Sequence, residues 1–360
     1  MVEQTPVQIY RSRERSGRFA SPGFFLKIIL LAVFMATPFL FPSFKSVDLA
    51  LKIMIFAVMV ASFDILLGYT GILSFGHVTF FGIGAYSVAL LLGKYAAPTY
   101  LYLALGFVIA MIITTALALL VSFLSLRVKA IFFAMVTLAI AEFAIILATK
   151  LSHFTGGEDG VIMSTPGIFK VSYNMGKFLG VEITGRVITY YFILLICLGL
   201  FLLMARFIQS PLGRVMQAIR DNEARAEAIG YKTFIFKASA ISFGCLVATI
   251  LGGLYVMWVG YANPESVLGV PIMLDVLLMV IIGGMGTLYG GLAGAIFLRV
   301  AYTFLPDLQS IAQSLWPNIH FLHSLLERWL LIFGILFILV VFFFPKGIIG
   351  TVQDYLKKGT

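Results

Sequence analysis

Few residues of this sequence carry charge. Asp, Glu, Lys and Arg make up 11% of its 360 residues and hydrophobic residues 61%, too little polar surface to clothe a water-soluble domain. The chain therefore reads as an integral membrane protein with no room for a separate soluble domain. Cysteine is sparse too: Cys197 and Cys245 both lie inside apolar runs, as small membrane-buried side chains rather than a disulfide or metal pair. The four histidines, His77, His153, His320 and His323, are scattered, and the last two, in WPNIHFLHSLLERW, read as part of an interfacial helix rather than a metal site. No Gly-Lys pair is followed by Ser or Thr, since Gly93-Lys94 precedes Tyr95 and Gly176-Lys177 precedes Phe178. The phosphate-cradling loop of nucleotide hydrolases is thus missing, and so is any nucleophile elbow. No catalytic constellation remains, and nothing in the chain would hydrolyse ATP alone.

What is present is apolar sequence in runs. At about 1.5 Å rise per residue, a bilayer core of roughly 30 Å takes about 20 residues per crossing. Hydropathy and punctuation predict spans near 24–41, 49–67, 78–93, 100–126, 130–150, 187–206, 236–258, 273–283, 288–305 and 328–344. The fold class is an all-α polytopic membrane protein with about ten transmembrane helices, some discontinuous. The polar tail 1–23, with Arg11, Arg13, Arg15 and Arg18, precedes a run that reads as a retained first span. If all ten segments cross, both termini share one side, and the segments 1–27, 127–129, 206–237 and 346–360 on that side hold 16 of the 25 Lys and Arg residues. That excess marks the side as cytoplasmic and accounts for most of the formal charge of +9 without a nucleic-acid partner. Domain 24–345 then lies between cytoplasmic tails 1–23 and 346–360, with loops 151–186 and 306–327 outside.

Two of the predicted spans are too short to cross, and each borders a glycine cluster. GYTGILSFGHVTFFGIGAY, 68–86, holds five glycines and a histidine, and GGMGT follows the segment 273–283. An unpaired backbone group costs several kcal/mol in lipid, so non-helical backbone must face protein or a water-filled cavity. Paired interrupted segments in opposite halves of a chain point to a solute pathway. On that reasoning Gly71, Ser74, Phe75, Gly76, His77, Gly283, Gly284 and Thr287 are the candidate path residues. The spacing of Gly286, Gly290 and Gly294 favours close helix packing instead.

The longest polar interruption, FIQSPLGRVMQAIRDNEARAEAIGYKTFI at 207–235, predicts an amphipathic helix over 211–229. Ser210 suits the N-cap, Pro211 the first turn and Gly230 the left-handed residue after the last turn. Leu212, Met216, Ile219, Ala226 and Ile229 recur at helical spacing, with charges largely elsewhere. A helix lying on headgroups would favour Lys and Arg; here the signs are mixed, which fits docking to a cytoplasmic partner.

Six segments taken in order resemble a known family: GYTGILSFGHVTFFGIGAY at 68–86, LRVKAIFFAMVTLAIAE at 126–142, TGGEDG at 155–160, SPLGRVMQAIRDNEARAEAIG at 210–230, VIIGGMGTLYGGLAGA at 280–295 and FPKGIIG at 344–350. The chain resembles the permease subunits of ATP-binding-cassette importers for branched-chain amino acids, particularly the M-type partner of their heterodimeric pore. The resemblance implies a type II-like permease in the bacterial cytoplasmic membrane and no cofactor in this chain, ATP and Mg residing on two separate ATPase subunits. It also implies a second homologous permease subunit and a soluble solute-binding protein. A glutamate-alanine motif in the cytoplasmic loop would insert into an ATPase cleft, and Glu223, Ala224, Glu227, Ala228 and Gly230 occupy that region, without the Ile-x-Leu-Pro stretch of the fuller motif. The candidate coupling residues are Arg214, Arg220, Asp221, Asn222, Glu223, Glu227 and Gly230. Urea and short-amide importers are close relatives and give an alternative solute.

Three carboxylates, Asp64, Glu142 and Asp275, fall within or at the edge of spans, where each would cost roughly 2.5–3.5 kcal/mol facing lipid at a helix centre. They are expected to face the bundle in hydrogen-bonding roles; as proton relays they would instead define an ion-coupled secondary transporter. Asp159 in TGGEDG reads either as a turn-stabilising side chain or as a contact for the binding protein.

Overall fold

A computed structural model of the chain describes residues 22–41, 43–94, 98–125, 130–178, 181–315 and 327–351. Most of the tail 1–23, the basic residues at 127–129 and the histidines His320 and His323 lie outside the described residues.

The predicted apolar runs are helices. In chain order they are α1 (Pro22–Leu40), α2 (Phe44–Thr70), α3 (His77–Lys94), α4 (Tyr100–Ser125), α5 (Ala130–Lys150) and the single turn α6 (Ser152–Thr155), then α7 (Gly185–Gln209). The polar loop folds as α8 (Pro211–Asp221) and α9 (Glu223–Ala228); α10 (Thr233–Val259), α11 (Pro264–Leu268), α12 (Val270–Gly283), α13 (Leu288–Leu315) and α14 (Trp329–Phe343) follow. Among the described residues, eight helical stretches are long and apolar enough to cross a membrane, and the apolar helices Ile29–Leu40 and His77–Gly93 are shorter. One of the eight, Pro264–Gly283, is α11 and α12 taken together across a break at Gly269, which makes up the length that 273–283 lacked. The chain is thus a multi-pass, all-α membrane protein. Strand structure among the described residues is confined to two antiparallel pairs, β1 (Val161–Ile162) with β4 (Tyr261–Ala262) and the hairpin β2 (Asn174–Phe178) with β3 (Val181–Thr184).

Two expectations change. The helix predicted over 211–229 divides at Asn222, whose backbone is extended (φ −161, ψ 100) and whose carboxamide accepts the Arg225 N–H at 2.9 Å. A capping side chain in mid-sequence offers the backbone an alternative to the continuing helix, and here the alternative is taken. The span predicted to stop at 305 runs on through Pro306 to Leu315.

Helix α2 is the axis of the bundle: 89% of its spanning window is buried, against 22% for α5. Around it pack α13, α10, α7 and α12, with α8 across its end. Helices α3 and α10 approach most closely. A Cβ at Gly84 would overlap the Thr249 carbonyl, and one at Gly252 would overlap the Phe81 carbonyl. Small residues are what let two helices meet at backbone distance in a membrane. The Thr249 hydroxyl bonds the Phe80 carbonyl at 3.1 Å and lies 2.6 Å from the Thr114 hydroxyl, tying α4 into the same contact.

Candidate functional site

The first glycine break begins where α2 ends. Gly71 adopts a left-handed conformation (φ 73, ψ 17), and its N–H and that of Ile72 turn back to the carbonyls of Leu67 and Leu66. The chain then re-enters the bundle without helical structure. The Phe75 N–H donates to the Thr137 hydroxyl of α5 at 3.1 Å, and His77 Nε2 lies 2.9 Å from the Ser62 hydroxyl. Ser62 precedes the end of α2 by two turns, so residues 71–76 climb about 12 Å back along that helix. Extended backbone covers this depth in fewer residues than a helix, which is why α3 is short. Ser74 and His77 are buried, and the imidazole packs against Phe63 at 5.6 Å.

The second break joins α12 to α13. Gly284 (φ 110) and Gly286 (φ 77) make the turn, and the Thr287 hydroxyl donates to the Gly284 carbonyl at 2.7 Å. Gly283 and Gly290 meet at backbone distance, as do Gly294 and Met279, while Gly347 of the FPKG stretch packs directly on Gly284. The two breaks meet. The Gly286 N–H donates to both oxygens of Asp64, at 2.9 and 3.1 Å, and Arg220 Nη1 of α8 donates to the Gly68 carbonyl. Gly68 is obligatory there, since a Cβ would collide with the Asp64 carboxylate and the Gly286 nitrogen. Arg220, assigned by its sequence to the coupling set, is therefore the side chain that ties the surface helix to both interruptions. The spacing Asp64–Gly68, four apart on a helix, was the signal available in the sequence.

Around Arg220 the surface segment is built as its caps dictate. The Ser210 hydroxyl accepts the Gly213 N–H at 3.4 Å, Pro211 starts α8, and Gly230 is left-handed (φ 99). Met216, Ile219 and Ala226 are buried against the bundle, whereas Leu212 and Ile229 join Arg214, Asp221, Asn222 and Arg225 on the exposed side. Glu223 pairs with Lys237, and Glu227 Oε1 accepts from the Thr233 hydroxyl at 2.8 Å. An exposed surface of mixed charge and apolar tips, anchored by a buried apolar face, can transmit a push into α2 and α7, against which α8 packs.

At the opposite end of the bundle lies a second polar group that sequence reasoning passed over apart from Asp275. Asp48 of α2 accepts from Trp258 Nε1 at 2.8 Å and pairs with Lys52 at 2.8 Å. Arg186 stacks on Phe44 at 4.5 Å and lies 5.9 Å from Trp258. Deeper, Arg299 of α13 lies over Phe56 at 3.5 Å, and the Tyr302 hydroxyl donates to Asp275 at 2.8 Å. Asp64 and Asp275 thus face the bundle as expected, but Glu142 is exposed on the outward side of α5. In the TGGEDG loop the backbone makes the tie: the Tyr261 hydroxyl donates to the Asp159 carbonyl at 2.7 Å, and the Asp159 side chain is exposed. Among the described residues no three His, Cys, Asp or Glu side chains are placed to hold a metal ion.

Residues 46–341 match the family described as the permease component of branched-chain amino acid transport systems. The chain belongs to that family. It is 28% identical over 343 residues to the high-affinity branched-chain amino acid transport system permease protein LivM of Salmonella typhimurium, covering 91% of this chain and 75% of that protein. Against the protein of the same name from Escherichia coli the identity is 28% over 345 residues, 92% and 76% of the two chains. A probable branched-chain amino acid transport permease protein LivM of Methanocaldococcus jannaschii is 27% identical over 225 residues, 62% of this chain and 61% of that one. No solved structure matches. The chain is a transport subunit of the membrane rather than an enzyme.

Proposed function

We propose that this chain is the membrane-spanning permease subunit of an ATP-driven importer for branched-chain or other hydrophobic amino acids, forming half of a heterodimeric translocation pathway in a bacterial cytoplasmic membrane, with both termini cytoplasmic. A second homologous permease subunit supplies the other half, two cytoplasmic ABC ATPases bind ATP and Mg, and a soluble binding protein delivers the solute. The solute class is the one for which its relatives are named. One observation carries the mechanism: Arg220, on a surface helix of mixed charge, reaches the Gly68 carbonyl beside the Asp64–Gly286 contact that joins both glycine breaks. Closure of the ATPase pair against Arg214, Asp221, Asn222, Glu223, Glu227 and Gly230 displaces α8, and the displacement reaches both breaks at once. Gly71, Ser74, Phe75, Gly76, His77, Gly283, Gly284 and Thr287 line the inner part of the solute path in this reading.

The test is uptake by the chain reconstituted with its genomic neighbours. Uptake of leucine that requires ATP and survives collapse of the proton gradient supports the proposal. Uptake that dies with the gradient while ATP is held constant replaces it with an ion-coupled carrier using the buried Asp64 and the half-buried Asp275, the carboxylates that motivate that second reading. Competition by urea or short amides rather than leucine moves the solute class.

A further inference from the structure

The guanidinium of Arg299 sits about 16 Å into the membrane-spanning stretch that starts at Leu288 and makes no hydrogen bond or ion pair with any described residue; its Nε is shielded from solvent and unpartnered. A guanidinium N–H shielded from water and left without an acceptor is costly, and stacking on Phe56 at 3.5 Å offsets only part of that cost. The nearest opposite charge in chemical terms is Asp275 on the neighbouring helix α12. Arg299 and Asp275 lie within electrostatic reach of each other yet beyond ion-pair distance, because Tyr302 holds the carboxylate and Phe56 holds the guanidinium. Asp48 is a poorer acceptor for anything new, since Trp258 and Lys52 already engage its two oxygens. Asp275 accepts one hydrogen bond, from Tyr302, and keeps acceptor capacity.

Two opposite charges, each fixed by an aromatic neighbour and held short of contact, match the two ends of an α-amino acid. An aromatic wall lies beside them: Tyr255, half-buried, is backed by the buried rings of Phe56 and Phe81, with centroids 5.5 to 6.3 Å apart. Arg299, Asp275, Tyr302 and Tyr255 are each half-buried in the chain alone, so the group can be reached. It lies on the side away from α8, with the Asp48–Trp258–Lys52 cluster between it and the outer end of the bundle.

We propose that Arg299 and Asp275 form a zwitterion site in the outer half of the pathway: the guanidinium fork receives the α-carboxylate of the solute, Asp275 its ammonium, and the half-buried ring of Tyr255 its apolar side chain. This rests on the amino-acid reading above and adds to it a place where the free carboxylate is required. A solute carboxylate bound here supplies the guanidinium of Arg299 with an acceptor, which gives a small amino acid preference over an amide or amine of the same shape. Charged groups that face the site are those named, with Lys52 and Asp48 on α2 and Arg186 on α7 toward the outer end.

The test uses the complete reconstituted transporter supplied with leucine-loaded binding protein, so that recognition upstream is constant. Arg299→Gln should lower leucine uptake about 100-fold and Arg299→Lys at least about tenfold, because a point charge does not replace the bidentate fork. Both variants are scored at equal assembly with the partner subunits. A second measurement needs no mutation: phenylglyoxal labelling of Arg299 in the wild type, read by mass spectrometry without binding protein, should be slowed by L-leucine and not by L-leucinamide. Wild-type uptake of leucine together with unchanged uptake by Arg299→Gln, or labelling indifferent to leucine, overturns the site alone. A wild type that ignores leucine overturns the functional reading and the site with it.

Discussion

Asp64 and Gly286 are 222 residues apart in the chain and are joined by a forked contact, one N–H to two carboxylate oxygens at 2.9 and 3.1 Å. The acceptor is a membrane-depth carboxylate and the donor the backbone of a glycine that no helix claims. Each solves the other's problem, since both would be costly unpaired.

Removing that acceptor should therefore cost more than a surface change. Asp64→Ala is expected to destabilise the chain by about 2 kcal/mol, the scale of a hydrogen bond to a charged group, and Asp64→Asn by less because its carboxamide oxygen still accepts. Gly68→Ala should be worse than Gly199→Ala, because the first places a methyl in the Asp64–Gly286 contact and the second meets open space. Thermal unfolding in detergent ranks the four variants; equal losses at Gly68 and Gly199 would remove the packing argument.

Arg220 separates docking from transmission. Arg220→Ala should leave ATP hydrolysis by the assembled transporter largely intact while lowering uptake at least about tenfold, whereas Arg214→Ala, on the exposed side of α8, should act on assembly if it acts at all. Reversal of charge in Glu227→Lys would add repulsion at the partner surface and break its bond to Thr233. The ratio of transported solute to ATP hydrolysed is the quantity to measure.

Cysteine accessibility distinguishes path from packing at the breaks. In a background without Cys197 and Cys245, both buried, a cysteine at Ser74 or Thr287 should react with a small water-soluble thiol reagent at some stage of the ATP cycle. Cysteines at Gly290 or Gly294 should stay unreactive and reduce folded yield, because a side chain there collides with the Thr287 hydroxyl or the Met279 carbonyl. Four equally inert sites would leave the breaks as packing devices.

Glu142 predicts a covered surface. A carboxylate exposed near the middle of α5 would cost roughly 2.5–3.5 kcal/mol against lipid, so protein must shield it in the working assembly. Glu142→Cys should react with a membrane-permeant maleimide when the chain is expressed alone and be protected when the second permease subunit is present. Equal reactivity in both would place this face against lipid.

The sequence is legible where one segment decides its own fate. Apolar runs announce the spans, Ser210 and Pro211 announce the start of α8, and glycine clusters announce where helices stop. Facing is another matter. In water a polar stripe tells which side of a helix looks out, but α2, α4, α5 and α14 carry at most scattered charges and no polar stripe, and packing is what separates the buried α2 from the others. Asn222 was misread because a helix-friendly neighbourhood hid its capping role. Arg299 was passed over because a lone cation within an apolar run gives no hint of its partner, and Asp275 gives none either until α12 and α13 are laid side by side.

During synthesis Asp64 enters the membrane long before its donor exists. At roughly 5–20 residues per second, about 10 to 45 s pass between translation of Asp64 and of Gly286. In that interval α2 carries a membrane-depth carboxylate whose backbone donor is not yet made. The nascent chain must meanwhile keep Asp64 hydrated or hold α2 near the insertion machinery, so the central helix of the finished bundle is among the last to settle.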